Sequence, residues 1–397
     1  MNAWVLGAIL ICLPLRALAV PNAAEAPLTR VIVLGVDHAS QLVSPNDSPA
    51  TLAAFLDRTK PAAICVERSP EAFARHSYYE FTYEIQDVIV PFARARGIAL
   101  CPVDWAPPAE DARLGFGLDL ESIPEVRPDK GFQAFLAFPK PVQLTRDIFH
   151  ADTPSNLANI HEWATTAAKR AGDDLPRRLY LYRTYLQAKR LVAAARAHAG
   201  QTVVLVVGEF HKRDIEAILS DDASIEIVQP SAIGRPTKTQ ETKANSNAYR
   251  HAIASFNLLG VQAETGNIDY AFVEESVSGL VGSAPRAETE LYRTRLDLLR
   301  KRISPEEAIL RYQRIAASAE DARFSWTGVQ DHDRVDSYFD PFGNLTVRQR
   351  ALLESARECG AVGRKDEVDR VFDTISSELP PAKARQFGAY FSRYIRA

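Results

Sequence analysis

Two histidines follow apolar runs in the same local pattern, and a glutamate ends a third run between them. Val33-Leu34-Gly35-Val36-Asp37-His38 and Val206-Val207-Gly208-Glu209-Phe210-His211 each place an imidazole three residues after a glycine. Glu67 directly follows the apolar run Ala62–Val66, and Asp104 directly follows Ile98–Val103. Two imidazoles and a carboxylate suit a divalent first-row metal, which polarises a carbonyl and lowers the pKa of a bound water to ~7. The same groups also work without a metal: one histidine as general base, oriented by Glu67, activates water against an ester. Asp37 and Glu209 are candidates for fixing an imidazole tautomer through its other nitrogen. The plainer alternative is that polar strand tips only cap helices and solvate the rim. Two matching Gly-x-x-His units in a chain with 8 histidines weigh against it.

For these groups to meet, the apolar runs must be strands of one sheet. Val31–Gly35, Ala62–Val66, Ile98–Val103, Thr202–Val207 and Ser224–Val228 are short and largely apolar, as expected of parallel strands covered on both faces. Helical spacing separates them. One helix opens with Ser48 as N-cap and Pro49 at the first position, and puts Leu52, Phe55 and Leu56 on one face. A second runs over Tyr79–Arg96, divided at Pro91 and stopped by Gly97. Two more cover Ser155–Ala171 and Pro176–Ala199, the latter closed by Gly200. Alternating strands and helices predict an α/β domain over residues 31–232, a mainly parallel sheet flanked by helices with right-handed crossovers. In such a sheet functional groups gather beyond the carboxyl ends of the strands, where His38, Glu67, Asp104 and His211 all fall. Pro107–Pro154 is irregular and reads as a lid or cap, and the polar stretch Ile233–Asn247 reads as a linker. Residues 248–397 are mainly helical in pattern, over Arg286–Ile303, Pro305–Ala319, Thr346–Glu358, Lys365–Leu379 and Pro381–Ile395. Packing, oligomerisation or a protein partner is the expected use of that helical C-terminal half.

A chain of 397 residues accommodates two such domains. Its net charge of -3 includes no basic excess to neutralise phosphates, which argues against nucleic acid as a partner. Trp4–Pro14 is apolar but shorter than the ~20 residues that span a bilayer, and Ala17-Leu18-Ala19 is a cleavage-type triplet. Residues 1–19 therefore read as a signal peptide and the mature chain as periplasmic or secreted, with an uncleaved membrane anchor as the alternative. Cys12 lacks the small residue before it that a lipoprotein signal needs. Cys65, Cys101 and Cys359 are too few for a disulfide framework, so buried free thiols are expected. Neither a phosphate-cradling glycine loop nor Gly-x-Ser-x-Gly is present, which disfavours nucleotide hydrolysis and α/β-hydrolase chemistry.

The ordered set Gly35-Val36-Asp37-His38, Glu67 with Arg68, Arg183 in a long helix, and Gly208-Glu209-Phe210-His211 resembles the TraB/PrgY–Tiki clan. That clan is related to the erythromycin esterases and to the ChaN-like haem-binding lipoproteins. The resemblance covers roughly residues 31–229 and implies an erythromycin-esterase/ChaN/TraB-like α/β fold. It further implies a metal-dependent protease-like centre of His38, Glu67 and His211, with Arg183 steadying the site or binding a substrate carboxylate. Asp104 matches a position that is often Asp-Arg in TraB-like members. The chain departs from the pattern where Arg68 replaces an acidic residue, Asp37 a small one, and Thr184 and Gln187 an Asn or Asp and a Met.

Three functions follow. The first is an exported hydrolase of peptide or ester bonds, using a divalent Mn, Co or Zn ion and acting on a peptide or small molecule. The second is a haem- or porphyrin-binding protein, with a ligand from Tyr78, Tyr79 or Tyr83. The third is a decayed centre on a chain whose helical half binds a partner. His76, His150, His161 and His198 read as surface or satisfied imidazoles.

Overall fold

The computed structural model describes residues 27–116, 125–127, 138–170, 172–282 and 285–396. The expected signal peptide lies outside these residues. Five strands form one parallel sheet: β1 (Thr29–Val36), β2 (Ala63–Val66), β3 (Ala99–Pro102), β4 (Thr202–Gly208) and β5 (Ile225–Ile227). Their order across the sheet is β3-β2-β4-β1-β5. The chain is therefore an α/β protein, and the five apolar runs are its strands to within a residue or two. Their continuous hydrophobicity has a direct cause. Ile32, Leu34, Ile64, Val66, Val204 and Val206 enter one core with the Pro49–Thr59 helix. Val31, Val33, Cys65, Val203, Leu205 and Val207 enter another with the helices Leu175–Ala197 and Glu209–Leu219. Neither alternate set of side chains meets water.

This arrangement locates a crevice. The helix that follows β1 packs on one face of the sheet, and the helix that follows β4 packs on the other. Because β1 and β4 are neighbours, the chains leaving their tips diverge there. That is a topological switch point, where open α/β sheets hold their ligands.

Local signals act as read. Ser48 Oγ accepts from Thr51 N–H at 3.2 Å, and Gly97 ends its helix at φ 64. Pro91 has a further effect. Glu84–Ile89 forms a π-helical turn before an α-helix over Val90–Arg96. A proline that lacks an N–H is accommodated by this wider turn. The expected linker is corrected: residues 233–247 are packed chain. They contain a Lys238–Ala244 helix with a Thr237/Gln240 capping box, bonded to the Pro49–Thr59 helix through Thr51 Oγ1–Glu241 at 3.0 Å.

Helices also cover most of 247–394. Ala252, Phe256, Leu291, Tyr312 and Ala351 share the core that covers one face of the sheet. Among the described residues no helix is long and apolar enough to cross a membrane. Inside this half Arg350 Nε donates to Glu354 Oε1 at 2.7 Å with both side chains 1% exposed. Burial alone would raise the Glu354 pKa, but Arg357, Arg295 and Arg350 bring it from 4.5 down to about 2. A folded-state value below the unfolded one stabilises above the unfolded pKa and is lost as pH falls through the folded one. The stability deficit of Glu354→Gln is therefore expected to be full at pH 7 and to close between pH ~4.5 and ~2, read from urea midpoints.

The cysteine expectation is also corrected. Cys65 and Cys101 form a disulfide. They are direct partners in the parallel β2–β3 register, with Cα atoms 4.3 Å apart; only the register reveals that adjacency. Cys359 is a buried free thiol. The bond closes a separation of 36 residues. Cys65→Ala with Cys101→Ala is expected to cost about 2–4 kcal/mol in urea unfolding. Thiol titration of the denatured, unreduced chain should detect Cys359 and any retained Cys12 only.

Candidate functional site

Register decides who meets whom at the sheet edge. Val36 pairs with Gly208 at the last rung of β1 and β4, so His38 and His211 leave adjacent tips. Val66 pairs with Val206, which brings Glu67 to the other side of β4. The Leu175–Ala197 helix crosses beneath and contributes Arg183.

His211 is held from behind. Thr184 Oγ1 donates to the Tyr180 carbonyl at 2.7 Å, so its oxygen is free to accept from His211 Nδ1–H, also at 2.7 Å. With the proton on Nδ1, the lone pair of Nε2 faces Glu67 Oε1 at 3.6 Å. The Tyr180 ring stacks on the imidazole with centroids 5.0 Å apart. Burial, helped by the Arg183 and His38 charges and opposed by Glu67 and Asp104, lowers the His211 pKa to about 4.

His38 is held differently. Its Nδ1 lies 2.8 Å from Glu84 Oε1, on the π-helical turn, which leaves Nε2 for the site. Burial alone would lower its pKa, but Glu84, by charge and hydrogen bond, and then Glu67 and Asp37 raise it to about 9. Its φ is 34, in the left-handed region that costs a non-glycine residue free energy and is tolerated mainly at functional sites. Between the imidazole and Glu67 lies Gly208. A Cβ there would stand 3.3 Å from His38 Nε2 and 3.1 Å from Glu67 Oε2, so glycine keeps the space between them open.

Glu67 accepts Gly208 N–H on Oε2 at 2.5 Å and Arg183 Nη2 on Oε1 at 2.7 Å. Arg183 also forks onto Asp104, Nε to Oδ1 and Nη2 to Oδ2, both at 2.6 Å. Gln187 Nε2 donates to Asp104 Oδ1 at 2.8 Å. Burial would raise the Asp104 pKa, but Arg183, through charge and hydrogen bond, with Gln187, holds it below the usual carboxylate range. Arg68 turns out of this group, donating to Ser77 and lying 3.7 Å over the Tyr79 ring. The structure thus brings together His38, Glu67, His211, Arg183 and Asp104: His38 and Glu67 border Gly208, His211 Nε2 stands against Glu67, and Arg183 and Asp104 lie behind Glu67. Among the described residues no three His, Cys, Asp or Glu side chains stand in ready metal coordination.

The proposed orienting role of Asp37 and Glu209 is corrected. Asp37 accepts from Ser40 and Gln143, and Glu209 from Arg146 at 2.7 Å. Glu84 and Thr184 orient the imidazoles instead. Glu84 lay hidden in an apolar helical pattern, whereas Thr184 was visible one residue from Arg183. Next to the centre a cleft of about 740 Å³ is lined by Asp37, Arg146, Glu209, Gln143, Phe149 and His150, among others. Of the tyrosines, Tyr83 is buried against Trp326 and Tyr79 stacks on Phe81. His76 and His161 are exposed, and His198 bonds Gln201.

Fold and site together define an α/β protein with a two-histidine, one-glutamate centre at its switch point. No protein-family model, curated protein or solved structure matches the chain.

Proposed function

We propose that this chain is an exported hydrolase of peptide or ester bonds that activates water at the centre of His38, Glu67 and His211. One observation carries the reading: both Nδ1 atoms are tied to partners behind the rings, so His211 Nε2 faces Glu67 Oε1 at 3.6 Å and His38 Nε2 borders the open space at Gly208 that Glu67 Oε2 also borders. The donor types suit a divalent Mn, Co or Zn ion, because metal-bound imidazoles characteristically give their other nitrogen to a carboxylate or similar acceptor; as placed the three side chains do not stand in coordination, so they would have to close on the ion. His38 Nε2, His211 Nε2 and an oxygen of Glu67, which retains a second lone pair, would hold it. Such an ion supplies a Lewis acid and lowers the pKa of its water. Arg183 Nη2 holds Glu67 Oε1 at 2.7 Å, and Thr184 keeps His211 Nε2 free of a proton.

The opposed pKa shifts of His38 and His211 favour a second, metal-free version of the same hydrolysis. Burial keeps His211 neutral as the base while Glu84 keeps His38 cationic as the acid, an assignment that follows from environments pushing two pKa values apart. The buried Cys65–Cys101 disulfide supports an oxidising, exported setting. Packing of Tyr79 and Tyr83 in the protein gives the haem reading no comparable support.

Elemental analysis, an absorption spectrum and hydrolysis of p-nitrophenyl acetate and labelled casein, each with and without chelator, test these readings. Bound metal with chelator-sensitive cleavage, both lost in His38→Ala, is the expected result. Cleavage that survives the chelator selects the metal-free route. A Soret band, or no cleavage under any condition, overturns the hydrolase.

A further inference from the structure

We propose that Arg146 is a positioning residue that holds the two Gly-x-x-His units at their working separation, a role that rests on the hydrolase reading. Asp37 precedes His38 by one residue and Glu209 precedes His211 by two. Both carboxylates turn away from the imidazoles toward one guanidinium. Arg146 Nη2 lies 2.7 Å from Glu209 Oε2, Nη1 4.0 Å from Asp37 Oδ2, and Nε 3.4 Å from Asp47 Oδ2. The side chain is 5% exposed although it belongs to no strand or helix. Its segment is fastened to the chain just beyond β1: the Arg146 carbonyl accepts from Ser44 Oγ at 2.7 Å, and Ile148 N–H donates to Asn46 O at 3.3 Å. Gln143 Nε2, three residues earlier, donates to Asp37 Oδ2 at 3.2 Å. Two tips that the sheet merely sets side by side are thus joined beyond their last ladder rung. A planar fork with several fixed donors can bridge both carboxylates, whereas a lysine ammonium is a single point charge.

The clamp also accounts for the backbone at His38. A φ of 34 persists only where the surroundings over-determine it. Asp37 is fixed by Arg146, Ser40 and Gln143, and the His38 ring by Glu84. Without the clamp the chain at residues 37–38 relaxes, and Nε2 shifts relative to Glu67. A misplacement of ~1 Å costs ~10²-fold in rate.

Arg146→Lys tests this, with Arg235→Lys as control, since Arg235 pairs with Asp147 at 2.8 Å on the 35% exposed rim. The readouts are kcat and KM on p-nitrophenyl acetate or labelled casein, and side-chain ¹H–¹⁵N resonances of His38 and His211. Arg146→Lys should lower kcat ~10²-fold with little change in KM, and shift both histidines. Arg235→Lys should change neither. Wild-type kcat with unmoved resonances overturns the clamp. If the wild type cleaves neither probe, the hydrolase reading fails and the resonances alone decide the clamp. Should Arg146→Lys not fold, Glu209→Gln, which keeps an acceptor oxygen but removes the charge, is read the same way.

Discussion

Glu67→Gln is expected to lower hydrolysis by about 10³-fold, within the range for loss of a group acting on proton transfer. The substitution is nearly isosteric. Its amide oxygen still accepts Gly208 N–H, and Arg183 keeps both bonds to Asp104 while losing its bond to residue 67, where the amide NH2 replaces an acceptor. What disappears is the negative charge that faces His211 Nε2 and borders the space at Gly208 shared with His38 Nε2, and with it the carboxylate ligand of any bound ion. Circular dichroism close to wild type, a modest drop in the urea midpoint from the lost Arg183 bond, and kcat/KM reduced ~10³-fold are the expected results. Metal content measured on the same preparations should fall with the activity if the ion-dependent route operates. An active Glu67→Gln enzyme would remove Glu67 from the centre.

Arg183→Met is expected to destabilise the fold by about 3–5 kcal/mol, because it removes the cation from a buried network and leaves two carboxylates facing each other. Asp104 is fully buried and Glu67 6% exposed, and both depend on this guanidinium. The sign of the pH dependence follows. With Arg183 present, Asp104 titrates below the usual carboxylate range, so the network stabilises at neutral pH and fades as acid protonates it. In Arg183→Met the Asp104 pKa rises, so the deficit should be largest near pH 7 and shrink toward pH ~4. Urea midpoints of the two proteins across that range provide the measurement. A double variant, Arg183→Met with Asp104→Leu, should recover the part of the loss that comes from Asp104, since an apolar pair of similar volume replaces that buried ion pair at little cost while Glu67 still lacks its cation. Recovery of stability without recovery of hydrolysis would separate the structural from the chemical role of Arg183.

Much of the molecule is legible in its sequence. The central strands β1, β2 and β4 are buried on both faces along most of their length and are largely apolar there, so their positions are legible to within a residue or two. The strongly periodic helices from Arg286 to Ile395 were equally plain. The helix Asn247–Leu258 is not, because eight of its twelve residues are buried and it lacks a clean polar stripe. Pro91 advertised a break, but a π-helical turn that delivers Glu84 to His38 is a geometric response the proline alone does not specify. Residues 233–247 are polar because they lie at the surface, and polarity cannot distinguish a packed surface helix from a linker.

By itself, the order of residues determined which groups stand at strand ends. Glycine three residues before each histidine, and a carboxylate directly after two apolar runs, are local facts that survive any arrangement of the strands. Tertiary structure decided their company. Placing β4 between β1 and β2 put His38 beside His211 with Glu67 across Gly208, and pairing Cys65 with Cys101 turned two expected thiols into a bond. It also sent Asp37 and Glu209 to Arg146 and put Glu84 and Thr184 behind the rings. Strand order and register depend on contacts between segments from 36 residues apart, as for β2 and β3, to well over a hundred, as for β1 and β4, and hydrogen-bond partners chosen across such distances leave no periodic trace along the chain.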